Sequence, residues 1–130
     1  IYHTKQLIAN FSKERELAVF CDFHGHSRRK NIFMYGCHIP GSPEYSRLFP
    51  FVLSAINPFF IYSDCRFGNQ KSKEATARMA LFNEHKMHPC IYTLESTFCG
   101  NDQGPFAKYH LSTENLIQTG VDFCRSLIVH

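Results

Sequence analysis

Apolar residues along the chain are spaced alternately as in helices and as in strands. The positions of Leu7, Ile8 and Phe11 predict a helix over residues 2–12 that packs one apolar stripe. Residues 16–24 form a near-continuous apolar run, which is typical of a strand covered on both faces. A second short strand is predicted over residues 32–37, after a charged turn.

The same alternation continues along the rest of the chain. Apolar spacing predicts three further helices, over residues 45–56, 74–85 and 112–127. It also predicts one further strand, over residues 89–94. Asn57 and Pro58 end the first of these helices, and Ser112 begins the last. The strand closes on Glu95, and the aromatic segment 59–67 stays open between helix and strand. Together these elements predict an α/β fold with a mixed, mostly parallel sheet and helices on both faces.

The composition is that of one folded domain. The 130 residues are 44% apolar, which is typical of a globular chain, and no apolar run is long enough to span a membrane. The net charge of +3 argues against a strongly basic nucleic-acid binder. The first residues show neither a signal-peptide pattern nor an initiator methionine, which indicates an excised piece or a processed terminus.

Six cysteines are present without any Cys-x-x-Cys spacing, so a structural zinc site made of thiolates is disfavoured. Most of them lie within apolar runs, among them Cys21, Cys90 and Cys124. We therefore expect buried free thiols and a reducing compartment.

Two histidines that flank a glycine stand where the first predicted strand ends. Ligands in open α/β sheets bind beyond the carboxyl ends of strands, so His24 is a candidate zinc ligand, although a lone histidine is more often structural. Gly25 would let the chain bend, and His26 would then face the cleft as a substrate-binding residue. Asp22 points to the same side as His24, where it would either orient the imidazole or bind backbone amides at the strand end.

A carboxylate and a group of cations complete the candidate chemistry. Glu95 at a strand end is either a general base for metal-assisted hydrolysis or a surface carboxylate, and the bare sequence favours the surface role. A cationic group, which by itself is usually a solvated face, is formed by Arg66, Lys71, Lys73 and Arg78. Arg28, Arg29 and Lys30 would extend a groove for acidic tails.

Three segments resemble the cytosolic carboxypeptidases, zinc metallopeptidases that remove glutamate from tubulin tails. Residues 21–36 resemble the segment of the third zinc ligand, Thr76-Ala77-Arg78 resembles the Thr-Ala-Arg that reads an acidic side chain, and residues 92–96 resemble the segment of the catalytic glutamate. The resemblance implies that His24 binds zinc, that Glu95 is the general base and that Arg78 selects an acidic residue. It further implies that Lys71, Lys73 and His26 bind substrate.

The resemblance extends from about Tyr2 to the last helix and implies that residues 1–130 are the C-terminal part of the catalytic domain. The resemblance implies that the other two zinc ligands come from a His-x-x-Glu motif. None of the eight histidines here is followed by glutamate three residues later, so these two ligands are expected upstream of this chain. The chain alone is therefore expected to be inactive. The resemblance implies a cytoplasmic protein, with the cytoskeleton and the cilium as candidate places of association. Its implied partners are acidic tails of tubulin or other glutamylated proteins, with no nucleic acid and no membrane.

Two alternatives stay open. The chain could be a non-catalytic remnant that still binds acidic tails through Arg78, Lys71 and Lys73. A weaker alternative is a nucleic-acid binder, which no motif with interleaved aromatic residues supports.

Overall fold

A computed structural model describes residues 2–69, 74–85 and 90–130. Its strands are β1 (Phe20–His26), β2 (Ile32–Tyr35) and β3 (Ile91–Thr97), and its α-helices are α1 (Tyr2–Phe11), α2 (Tyr45–Ile56), α3 (Ala77–Glu84) and α4 (Thr113–Val129). A short 3-10 turn lies at Tyr62–Asp64.

The strands form one mixed sheet in the order β1-β3-β2. The central strand β3 pairs parallel with β1 and antiparallel with β2. Two isolated parallel bridges, from Phe60 to Ile32 and from Arg66 to Tyr35, bring the ambiguous aromatic segment alongside β2. The predicted α/β class with a mixed sheet is confirmed.

Neighbouring residues of a strand point to opposite sides, so β3 presents apolar side chains to both faces of the sheet. Helices cover both of these faces. The larger apolar cluster places Phe49 of α2 and Phe123 of α4 with Tyr92 of β3. The smaller cluster places Ile8 and Leu81, from α1 and α3, against Ile91. A strand with apolar residues on two faces is therefore explained by two separate layers of helix.

Strand pairing sets bounds that differ from those of the apolar runs. The pairing of β1 with β3 begins at Phe20 and Ile91 and continues to His26 and Thr97. Among the described residues the pairing begins with Phe20 opposite Ile91, so β1 starts later than the predicted residue 16. The same pairing carries both strands two residues beyond His24 and Glu95.

Helix ends follow local capping. The Thr76 hydroxyl accepts a hydrogen bond from the Met79 backbone N–H at 3.3 Å, so α3 begins at residue 77 rather than 74. Ser112 and Asn115 form a reciprocal capping box at the start of α4, as the sequence indicates. Among the described residues, no helix has the length and apolar character needed to cross a membrane.

The cysteines divide by exposure more than the sequence predicts. Cys37, Cys65 and Cys90 are buried, whereas Cys99 and Cys124 are exposed. The expectation that Cys124 is buried is wrong, because it lies on the outer side of α4 while its neighbour Phe123 enters the core.

We expect a thiol reagent at pH 8 to label Cys99 and Cys124 within seconds to minutes and Cys65 far more slowly. Burial raises the pKa of the Cys65 thiol to about 12, so almost none of the reactive thiolate exists at that pH. Peptide mapping by mass spectrometry would measure the order of labelling, with the denatured protein as the control in which all six react. Rapid labelling of Cys65 in the folded protein would contradict this packing.

Candidate active site

His24 and Glu95 lie side by side on adjacent parallel strands. They are paired residues in the register of β1 and β3, close to the carboxyl ends of both strands. Paired residues of neighbouring strands share one face, with the backbones about 4.8 Å apart. The sheet thus brings together an imidazole and a carboxylate that are 71 positions apart in the sequence, counted from residue 24 to residue 95.

Asp22 contacts the His24 imidazole. Its Oδ2 lies 2.9 Å from His24 Nε2, and the His24 side chain is 51% exposed. With Nε2 occupied by the carboxylate, Nδ1 is the ring nitrogen left to bind a metal. Of the two roles considered for Asp22, this is the contact that the orienting role requires.

His26 is on the same face as His24, two residues further along β1. Its Nδ1 accepts hydrogen bonds from the backbone N–H groups of Arg28 at 3.2 Å and Arg29 at 2.9 Å. The imidazole therefore closes the turn after β1, and in the neutral ring the proton is on Nε2. Its role as a substrate-binding residue stays a prediction.

Gly25 has a packing reason rather than a bending one. It remains within β1, and a Cβ at this position would overlap the ring of Phe98. The glycine between the two histidines thus allows the aromatic ring that follows β3 to lie against the strand.

Arg78 is in the first turn of α3 and is 3% exposed. Its Nη1 donates to the Gly36 carbonyl at 2.7 Å and lies 3.4 Å from Cys37 Sγ. The structure thus connects this guanidinium to the chain just after β2. Selection of an acidic substrate residue by Arg78 stays a prediction, and the predicted substrate-binding residues Lys71 and Lys73 lie outside the described residues.

The described residues supply one fitting zinc ligand rather than a complete set. No group of three or more His, Cys, Asp or Glu side chains in ranges 2–69, 74–85 and 90–130 could hold a metal. A strand-end imidazole oriented by a carboxylate suits zinc, and catalytic zinc takes three protein ligands. Burial raises the pKa of the neighbouring Cys21 to about 12, so this thiol stays protonated and is a poor ligand.

A buried polar network behind the strand ends was missed by sequence reasoning. Asn31, with φ 68° and 2% exposure, donates from Nδ2 to Asp64 Oδ2 and Asp102 Oδ1, each at 2.8 Å. The Asp102 backbone N–H donates back to Asn31 Oδ1 at 3.0 Å. We call Asn31, Asp64 and Asp102 the asparagine latch. It joins the β1–β2 turn, the 3-10 turn and the loop after β3.

Arg29 belongs to the same region and not to an open groove. It forms an ion pair with Asp64 at 3.2 Å, and its guanidinium lies 4.1 Å from the centre of the Phe33 ring. The expectation that Arg29 extends a groove for acidic tails is therefore not supported by its contacts. Its position in a run of cations gave no local signal for the distant partner Asp64.

The fold of the chain is similar to that of a metallocarboxypeptidase. A crystal structure of a metallo-carboxypeptidase from Burkholderia cenocepacia matches with a TM-score of 0.69 over 95% of this chain and 33% of that one. The two sequences are 17% identical, so this match concerns the fold alone.

Sequences of higher identity are those of cytosolic carboxypeptidases. Cytosolic carboxypeptidase 2 of Xenopus tropicalis is 39% identical over 98% of this chain, and cytosolic carboxypeptidase 1 of Homo sapiens is 39% identical over the same share. The chain spans only 13% and 12% of the length of these two relatives. No family model matches the chain. The resemblance to the cytosolic carboxypeptidases is nevertheless confirmed along nearly all of its length.

Proposed function

We propose that this chain is part of the catalytic domain of a zinc metallocarboxypeptidase. His24 would be one of three protein ligands to zinc, and Glu95 would be the general base. The pairing of His24 with Glu95 at the carboxyl ends of two parallel strands supports this proposal most directly. The chain contributes one ligand and the base, and the remaining two ligands come from another part of the longer protein.

The proposed chemistry assigns a separate task to each side chain. Bound zinc would polarise the scissile carbonyl and lower the pKa of water. Asp22 holds the His24 ring through Nε2, so that Nδ1 has a fixed direction. Glu95 takes a proton from the attacking water and delivers it to the amine that leaves, which is the exchange that a carboxylate beside the reacting atoms can perform. The exposed side of His24 leaves the strand ends open to a substrate.

For the substrate, we propose a C-terminal or side-chain-linked glutamate on a polyglutamylated protein such as tubulin, in the cytoplasm. The resemblance of Thr76-Ala77-Arg78 to the acid-reading segment supports this, together with the carboxypeptidase relatives. A guanidinium pairs with a carboxylate through two hydrogen bonds and repels an ammonium group. Arg78 would turn from the Gly36 carbonyl, or use its other N–H groups, to do so.

We expect the full-length zinc protein to release C-terminal glutamate at least about 100-fold faster than C-terminal lysine from otherwise identical peptides. Mass spectrometry of the shortened peptides measures the two rates, with a peptide ending in leucine as the neutral comparison. Preferential release of lysine or leucine would contradict the proposed substrate. Binding of the glutamate peptide without any hydrolysis would instead support the non-catalytic alternative.

A further inference from the structure

A small cavity lies in the loop that follows β3, apart from His24 and Glu95. Its volume is about 150 Å³, and it is lined by Lys30 and by residues 99–101 and 108–110 of the loop. The two arms of the loop are held together by backbone hydrogen bonds, from the Asn101 N–H to the Tyr109 carbonyl at 3.1 Å and from the Lys108 N–H to the Asn101 carbonyl at 2.8 Å. We call this cavity the loop site.

Asn101 is a buried residue of the loop site whose side chain has no hydrogen bond. It is 2% exposed, and neither its Nδ2 nor its Oδ1 has a partner among the described residues. Buried amides are nearly always paired, because leaving them unpaired costs free energy. A ligand that pairs both atoms must offer an acceptor and a donor. A peptide group offers both, whereas phosphate at neutral pH offers mainly acceptors.

The charge around the loop site is positive. Lys30 and Lys108 line it, and no carboxylate does. Neither ammonium group has an ion pair within the part of the chain that the structure describes. The His110 ring donates from Nδ1 to the Cys99 carbonyl at 2.8 Å, which leaves Nε2 as a further polar atom. The lining thus favours an acidic ligand.

Lys108 also has an unfavourable backbone for its residue type. Its φ is 74°, in the left-handed region where glycine is favoured over any residue with a Cβ. A lysine at this position lowers the stability of the fold and supplies a positive charge to the loop site. Replacing it with glycine should therefore weaken ligand binding but stabilise the fold, so the two effects can be told apart.

We propose that the loop site binds an acidic residue of a peptide, with its carboxylate at Lys30 and Lys108 and its peptide group at Asn101. This inference rests on the proposed function and extends it. Cys99 follows Glu95 by four residues, at most about 14 Å of chain. An extended peptide advances about 3.3 Å per residue, so the part of the loop site at Cys99 would contact a residue at most about four positions before the cleaved bond.

The test measures binding of fluorescently labelled hexaglutamate to the full-length protein without metal, so that no cleavage occurs. We expect Lys108→Gly and Asn101→Ala each to weaken binding about 5- to 10-fold through the loss of a charge-assisted or polar contact. Lys108→Gly should also raise the midpoint of thermal unfolding, and Asn101→Ala should not lower it, since no hydrogen bond of the free protein is lost. Lys13→Ala is the control, because the Lys13 ammonium group forms its one hydrogen bond among the described residues to the nearby Asn10 Oδ1, at 3.2 Å.

Each outcome decides between the two proposals. Unchanged hexaglutamate binding in both variants, or an equal loss in Lys13→Ala, would overturn the loop site. If inorganic phosphate displaced labelled hexaglutamate as well as unlabelled hexaglutamate does, the assignment to a peptide would be overturned. If the wild-type zinc protein releases no glutamate while the loop variants still lose hexaglutamate binding, the proposed activity fails and the loop site stands. If glutamate is released but binding does not depend on Asn101 or Lys108, only the loop site fails.

Discussion

Replacing Glu95 with glutamine in the full-length zinc protein should lower kcat by about 100- to 10,000-fold. Glutamine keeps the size and polarity of the side chain but cannot accept and deliver the proton. Because Glu95 is not proposed as a ligand, the zinc content should stay at one ion per protein. The time course of hydrolysis of a peptide that ends in glutamate measures kcat. Metal analysis of the same sample measures the zinc content.

Two further variants separate the roles of the neighbouring side chains. His24→Ala should lose both activity and zinc, because it removes a ligand. Glu84→Gln should leave both unchanged, because Glu84 forms an ion pair with Lys5 at 2.6 Å on the opposite end of α3 from Arg78. Full activity of Glu95→Gln would show that Glu95 is the surface carboxylate that the bare sequence favours.

The juxtaposition of His24 and Glu95 could be predicted because it follows from strand direction. Both residues end apolar runs, and the ends of parallel strands meet at one edge of a sheet. The bounds of α2 were equally accessible, since Pro43 and Asn57-Pro58 mark its limits in the sequence. The antiparallel pairing of β2 with β3 could not be predicted from the sequence, because strand order depends on contacts between distant segments.

Arg78 and the asparagine latch show where local patterns lose information. A cation within a charged segment reads as exposed, yet Arg78 is buried by the chain that follows β2. Asn31 is bonded to side chains 33 and 71 residues away, so no spacing rule connects them. The left-handed backbone at residue 31 explains why asparagine is favoured there, since asparagine is enriched in that region. It does not explain the buried network that the side chain forms.

Replacing Asn31 with glycine should lower the free energy of unfolding by about 2–3 kcal/mol. Glycine accepts the φ of 68° without strain, so the loss comes from the side-chain hydrogen bonds and from the greater backbone freedom of glycine in the unfolded chain. The substitution removes the donor shared by Asp64 and Asp102 and the acceptor for the Asp102 N–H. Chemical denaturation of the full-length protein measures the change in the free energy of unfolding. The transition to be followed is that of the domain that contains this chain.

Two comparisons make the Asn31 result specific. Asn31→Ala should be less stable than Asn31→Gly by a further ~1 kcal/mol, because alanine is strained at this φ. Asn10→Ala should change stability by less than about 0.5 kcal/mol, since Asn10 is exposed and, within the described part of the chain, its side chain bonds only to the exposed Lys13. If Asn31→Gly proved as stable as the wild type, the latch would contribute nothing to the position of the strand ends. Glu95 and His24 would then be held by the sheet alone, through the pairing of β1 with β3.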